Sequence, residues 1–276
     1  MSEIKRFEKF NEFIEFNEPV ILENPFIYYH LDQTIDRVCK REVSVSKFFN
    51  VSSNDGWTCI LLVKNQCLIY STNTNPEIIP LISEELDFQT FEKFPFFGSK
   101  NTIESLLNYN NSEFSDIKHR NYYECTEVNK LLDYSDGEAV SGTLSQFNEL
   151  VELQTMFNEE FYSAENRPKD VPSLVLQGIE KDNIYQWLIN DKVVGMAQIN
   201  YHEFDFPIIG FVFISPNYRN MKIGQSFVHI LTKGLFDAGH KKCCLMTEAS
   251  NPASNKSFLN IGYKLKEEYV IRLKEK

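Results

Sequence analysis

The run Ile208–Ile214 (IIGFVFI) is almost continuously apolar, and no other feature of the 276-residue chain constrains the fold as strongly. A strand with one wet face alternates apolar and polar residues, whereas a strand covered on both faces has no reason to. The segment is therefore expected at the centre of a sheet with a layer packed on each side. Pro216 ends it and a polar loop follows. From Gly224 onward, Phe227, Ile230, Leu231, Leu235 and Ala238 fall at helical spacing until Gly239 supplies a stop.

The elements around this core can be read in the same way. Leu150, Leu153, Phe157 and Phe161 line one face of a helix. Residues 184–189 and 193–199 are apolar runs flanking Asn190-Asp191-Lys192, a hairpin pattern. A strand from Cys243 to Thr247, a short helix after Asn251, and strands near Tyr263 and from Tyr269 to Leu273 complete this half. In the first half, Phe7, Phe10, Phe13 and Ile14, then Phe26, Ile27, Leu31, Ile35 and Val38, show helical spacing. A hairpin is expected from 57–63 and 67–70 around Lys64-Asn65-Gln66, and a helix over 102–107. Residues 133–142 (DYSDGEAVSG) have little to bury and are expected to be a linker between domains 1–140 and 141–276. Each half contains helices followed by a hairpin, as a duplication would produce.

Charge divides unevenly. Of the 39 Asp and Glu, 23 lie in residues 1–141, against 13 of the 28 Lys and Arg. An acidic first half argues against nucleic acid or an anionic membrane as partner, and leaves a cationic amine as one it would attract. No run approaches the roughly 18–20 apolar residues of a membrane-spanning helix, and the charged start lacks a signal-peptide core. A cytoplasmic protein is expected. The six cysteines and five histidines follow no metal-ligand spacing, so no metal is expected and the thiols read as buried and free.

The chemistry is expected in residues 210–228, GFVFISPNYRNMKIGQSFV, where a buried strand runs through a short loop into a helix. Helix N-termini present unpaired N–H groups and partial positive charge, which suits a phosphate. Arg219 and Lys222 add full charges, and Gly224 permits close approach of the backbone.

YRNMKIGQSFV resembles the GNAT acetyltransferase motif of an aromatic, Arg/Gln, then x-x-Gly-x-Gly/Ala heading a helix. LMTEASNPASNKSFLNIGYK (245–264) is similar to the family's second signature, Thr-Asp/Glu-x-x-Asn-Pro-x-Ser-Asn followed by an aromatic and Ile-Gly-Tyr. The resemblance covers roughly residues 145–276. It implies an α+β fold with a mixed, splayed sheet flanked by helices, preceded here by a smaller α/β domain that would be a degenerate GNAT-like copy. It further implies acetyl-CoA as co-substrate and a primary amine as acceptor; the extra domain and acidic balance point to a small molecule as that acceptor, with a protein amine as the alternative. Backbone groups of Val212, Phe213 and Ile214 would pair with the pantetheine arm. Those of Arg219, Asn220, Met221, Lys222, Ile223, Gly224 and Gln225 would hold the pyrophosphate. Asn251 would reach the pantetheine, with Asn255 and Lys256 near the cofactor.

Two positions depart from the pattern. Lys222 replaces the first glycine, so a loop path with positive φ there would be strained. Phe258 stands where the family often has a tyrosine that protonates the departing thiolate. A non-catalytic acyl-CoA-binding protein is the alternative these departures favour. Glu248 and Glu203 are the candidate bases, with Asp205 beside the latter. Equally, Glu248 would orient backbone amides at the next helix start, and Glu203 would be a solvated loop residue. Tyr263 and the aromatic stretch 91–98 are expected in cores.

Overall fold

The computed structural model describes residues 2–54, 56–130, 133–201 and 206–275. In chain order the elements are β1 (Glu3–Arg6), α1 (Phe10–Glu23), α2 (Tyr29–Cys39), β2 (Val45–Ser53), β3 (Gly56–Val63), β4 (Gln66–Ser71), α3 (Ile78–Leu86), β5 (Phe94–Ser99), α4 (Lys100–Tyr109) and β6 (Phe114–Cys125). There follow β7 (Glu138–Ser141), α5 (Phe147–Phe161), α6 (Val171–Glu180), β8 (Ile184–Ile189), β9 (Lys192–Asn200), β10 (Ile208–Ile214), α7 (Ile223–Asp237), β11 (Cys243–Glu248), α8 (Pro252–Ile261) and β12 (Lys264–Lys274). The fold is α+β, with mixed sheet flanked by helices. Contacts divide it into two units: one holds the chain up to Tyr122 with Glu248–Ser250 and the stretch from Lys266 on, the other Tyr123–Thr247 and Asn251–Leu265.

In the second unit the strand order is β11-β10-β9-β8-β7. β10 runs parallel to β11 and antiparallel to β9, and the other neighbours are antiparallel. β9, whose register against β8 shifts between Val193 and Gly195, feeds two separate cores. Val194 and Ala197 join Phe227, Leu231 and Ile261 of α7 and α8, while Val193 and Met196 join Leu150, Leu153 and Val175 of α5 and α6. β10 does the same, with Ile209 in the first core and Phe213 in the second. This is the two-sided cover that its apolar sequence demands.

The segment 133–142, expected as a linker, is integrated instead. Its last part forms β7, paired with β8. Ser135 donates its N–H to Ser226 Oγ at 3.0 Å, and Tyr134 Oη bonds His229 Nδ1 at 3.0 Å, both on α7. A segment with little to bury is fixed here by hydrogen bonds, which composition does not reveal. Tyr263 is buried, bonding Thr232 and Cys243 through its hydroxyl.

The first unit carries the order β1-β2-β3-β4-β5-β12-β6. Residues 67–69 of β4 pair in parallel with 96–98 of β5, and β12 lies antiparallel to β5. Phe49, Ile60, Ile69, Ile82, Leu106 and Val270 form its core, and Phe96 packs there against Phe88 and Phe91. The aromatic stretch 91–98 is thus core, as expected. A buried polar set is satisfied within itself: Asn17 and Asn50 exchange amide bonds at 3.0 and 2.7 Å, and Trp57 Nε1 donates to Asn17 Oδ1.

Beside this core stand four tyrosines in ring contact, Tyr28, Tyr70, Tyr122 and Tyr269. Glu267 lies among them. Loss of water pushes its carboxyl from the ordinary 4.5 up to about 7, against a hydrogen bond from Ser99 that favours the ion. Between those two values the folded protein holds a proton that the unfolded chain has released, so this group's contribution to stability falls as pH rises through the window. The loss should amount to about 1–3 kcal/mol between pH 5 and pH 8. Urea unfolding of the wild type and Glu267→Gln at both pH values checks this: the variant should gain on the wild type by that amount at pH 8. A difference independent of pH would mean that Glu267 ionises normally.

Candidate functional site

Two local events open β10. Its pairing with β11 is confined to Ile208–Cys244 and Ile209–Leu245, so among the described residues Gly210–Ile214 have no partner strand on that side. On the other side the register to β9 shifts between Gly210 and Phe213. One extra residue is inserted there, and Phe211 takes φ +51°. A bulge leaves backbone groups out of the ladder, and positive φ on a bulky residue is uncommon and costly. The stretch Val212, Phe213 and Ile214 is thereby left as an open edge on the β11 side.

The chain then turns into α7. Asn220 and Lys222 both lie in the left-handed region, at φ +64° and +58°. Asn tolerates this conformation, whereas Lys pays roughly 1–2 kcal/mol for it. Lys222 is the residue before the first helical position, and no side chain caps the helix there. The first N–H groups, from Ile223, Gly224 and Gln225, are therefore free of a capping side chain. A Cβ built on Gly224 would meet only Ile214 Cγ1, at 3.6 Å. The protein's own packing does not require glycine at this position. Lys222 and Met221 are exposed.

Arg219 is held in a bracing position. Its Nε donates to the Ile214 carbonyl at 3.0 Å, its Nη2 to Glu160 of α5 at 2.7 Å, and the guanidinium lies 5.1 Å from the Phe213 ring centre. It clamps the loop onto the end of β10, and its charge is shared with Glu160.

At the start of α8, Asn251 Oδ1 accepts from Ser254 N–H at 3.1 Å, so Asn251 fills the capping role weighed for Glu248. Asn255 Nδ2 donates to Asn251 O at 2.7 Å, and its Oδ1 accepts from Tyr123 Oη at 2.9 Å. Lys256 is exposed on the same helix. Phe258 is buried against Tyr123 and Tyr263. Glu248 accepts a 3.0 Å bond from Arg120 Nε and belongs with it to the first unit. Glu203 and Asp205 lie outside the described residues. Glu267, whose carboxyl is pushed up to about 7 by burial, had no role in the sequence reading, because LKEEYVIRLK does not distinguish it from its neighbour Glu268, which pairs with His119. Among the described residues no cluster of His, Cys, Asp or Glu could hold a metal ion, and no helix is long and apolar enough to cross a membrane.

A cavity of about 340 Å³ opens on the α5–α6 side of the same sheet, with Phe211 of the bulge in its wall. Its lining is rich in carboxamides, and Asn158, 2% exposed, has an Nδ2 with no hydrogen-bond partner among the described residues.

Comparison with known proteins agrees with this geometry. Residues 148–263 match the model of the acetyltransferase (GNAT) family. A GNAT-family acetyltransferase from Colwellia psychrerythraea superposes with TM-score 0.54 at 14% identity, covering 99% of this chain and 100% of that one. A GCN5-related N-acetyltransferase from Sphaerobacter thermophilus gives 0.57 at 10% identity, covering 99% and 95%. Such distant likenesses speak to fold, and their span includes the first 140 residues, which are GNAT-like in structure too. No curated protein matches in sequence. The uncapped helix start and the bulged strand thus both lie within the segment, residues 148–263, that is similar to the acetyltransferase (GNAT) family.

Proposed function

We propose that the protein transfers an acetyl group from acetyl-CoA to the amine of a small molecule. The observation that carries this reading is the junction of β10 and α7: an open strand edge leads directly into a helix start with free N–H groups and a glycine that packing does not need. Acetyl-CoA, when bound, supplies the acetyl group as a thioester. Backbone N–H groups between Arg219 and Gln225 would hold its diphosphate, helped by the helix dipole and the Lys222 charge. The edge Val212–Ile214 would align the pantetheine arm as an added strand. The bulge at Phe211 and Val212 frees N–H groups of the kind that stabilise a developing oxyanion.

Amide formation joins the acceptor nitrogen to the acetyl carbon and releases CoA as thiolate, and the amine proton passes to a carboxylate or to water. Glu203 and Glu248 remain the candidate proton acceptors, and Glu248 would act from within its pair with Arg120. Asn251 and Asn255 would serve the site by fixing the start of α8, with Lys256 alongside. A second reading, acyl-CoA binding without turnover, is favoured by Phe258, which offers no proton to a thiolate.

Calorimetry with CoA and acetyl-CoA, followed by thiol release over a panel of amines, tests the proposal. Binding with turnover supports transfer, binding alone supports the second reading, and no binding defeats both. Lys222→Glu should weaken CoA binding at least tenfold. Lys222→Gly should relieve the left-handed strain and stabilise the free protein by about 0.5–1 kcal/mol in urea unfolding. Gly224→Val should leave the fold intact by circular dichroism while lowering CoA affinity more than tenfold. Unchanged affinity in this variant would place the diphosphate elsewhere.

A further inference from the structure

The cavity beside the bulge carries a chemical preference. Six carboxamides line it, those of Gln154, Asn158, Gln177, Asn183, Gln198 and Asn200, together with the side chain of Lys181, and among the described residues no Asp or Glu does. Glu180 and Asp182 flank Lys181 in sequence, yet neither reaches the lining. Two of the amides are oriented by neighbours. Gln154 Nε2 donates to Asn158 Oδ1 at 3.0 Å, and Gln198 Nε2 donates to Asn183 Oδ1 at 3.1 Å. The first bond leaves Asn158 Nδ2 as a buried donor without an acceptor. Such a group costs about 1–3 kcal/mol while it stays unpaired. Lys181 is exposed, with no ion pair found among the described residues. The surplus is therefore of donors and of positive charge.

We propose that this cavity binds the acceptor, and that the acceptor is a small amino acid-like molecule whose carboxylate is met by Lys181 and the Asn158 amide. The assignment of the ligand as acceptor rests on the acetyl-transfer reading above. The cavity's 340 Å³ falls at the small end of ligand sites, which span about 300–1,000 Å³. A described lining without carboxylates also suits the other end of such a ligand. An ammonium gains nothing there, and the neutral amine needed for attack is favoured. Phe211, the positive-φ residue of the β10 bulge, forms part of the cavity wall, so the cavity borders the place proposed above for acyl chemistry.

The test uses the full chain and matched pairs: L-methionine, L-glutamine and L-phenylalanine, each against its own carboxamide. With acetyl-CoA present, thiol release should favour the carboxylates at least tenfold in kcat/KM. Lys181→Met should bring that ratio close to one. Thermal shifts without acetyl-CoA should show the same preference, and Asn158→Leu should abolish the shift. Equal use of both series, preference for the carboxamides, or a ratio unchanged in Lys181→Met overturns the proposal. If acetyl-CoA binds but no amine turns over, the thermal shifts decide, and a lack of discrimination defeats it. If carboxylates shift the protein while acetyl-CoA does not bind, the transfer reading fails and the carboxylate site stands.

Discussion

The double burial of β10 is the constraint on which the second unit depends. Ile209 and Phe213 sit in different cores, each worth about 1.5–3 kcal/mol when fully removed from water, so the strand is anchored from both faces. Only a strand held in this way can give up part of its ladder. β10 loses β11 after Ile209 and slips its register against β9 after Gly210, yet its path is kept by side chains above and below. The hydrogen bonds forfeited at the open edge are those a ligand arm would restore. A strand covered on one face alone would fray under the same losses.

Charge at the helix start follows a similar division of labour. Arg219 looks in sequence like a phosphate ligand, but its guanidinium spans the Ile214 carbonyl and the Glu160 carboxylate. Its exposed pair with Glu160 contributes little energy by itself. Its value is geometric, since it fastens α5 and the end of β10 to the loop that delivers the helix N–H groups. Lys222, lacking such a partner among the described residues, is left as the exposed positive charge. The position thus trades the conformational ease of glycine for a cation beside the helix dipole.

Legibility followed the range of the interactions. The helical stripe of Leu150, Leu153 and Phe157, the hairpin about Asn190-Asp191, the strand 208–214 and the helix beyond Gly224 could all be read, because each signals itself within a dozen residues. β2 and β6 could not, since VSKFFNVSS and FSDIKHRNYYEC interrupt their apolar residues with polar ones that face other polar groups. The membership of β12, paired with β5 some 170 residues earlier, has no local signature. The strain at Lys222 was legible from the missing glycine alone. The orphaned amide of Asn158 was not, because its meaning lies in Gln154 one helical turn away and in strands it meets only after folding.

Backbone conformation separates scaffold from site. Nine residues other than glycine have positive φ among those described. Arg41, Asp87, Asn111 and Asp182 stand at or just beyond helix ends, and Asn190 with Asp191 makes the hairpin turn. These are places and mostly residue types where left-handed backbone is cheap. Phe211, Asn220 and Lys222 remain, all within one strand-loop-helix passage, and two of the three are types that pay for it. A few kcal/mol of strain is concentrated there, next to a cavity whose Asn158 amide is an unpaired donor among the described residues. The two cores, which hold β10 from both faces, supply the stability that permits it.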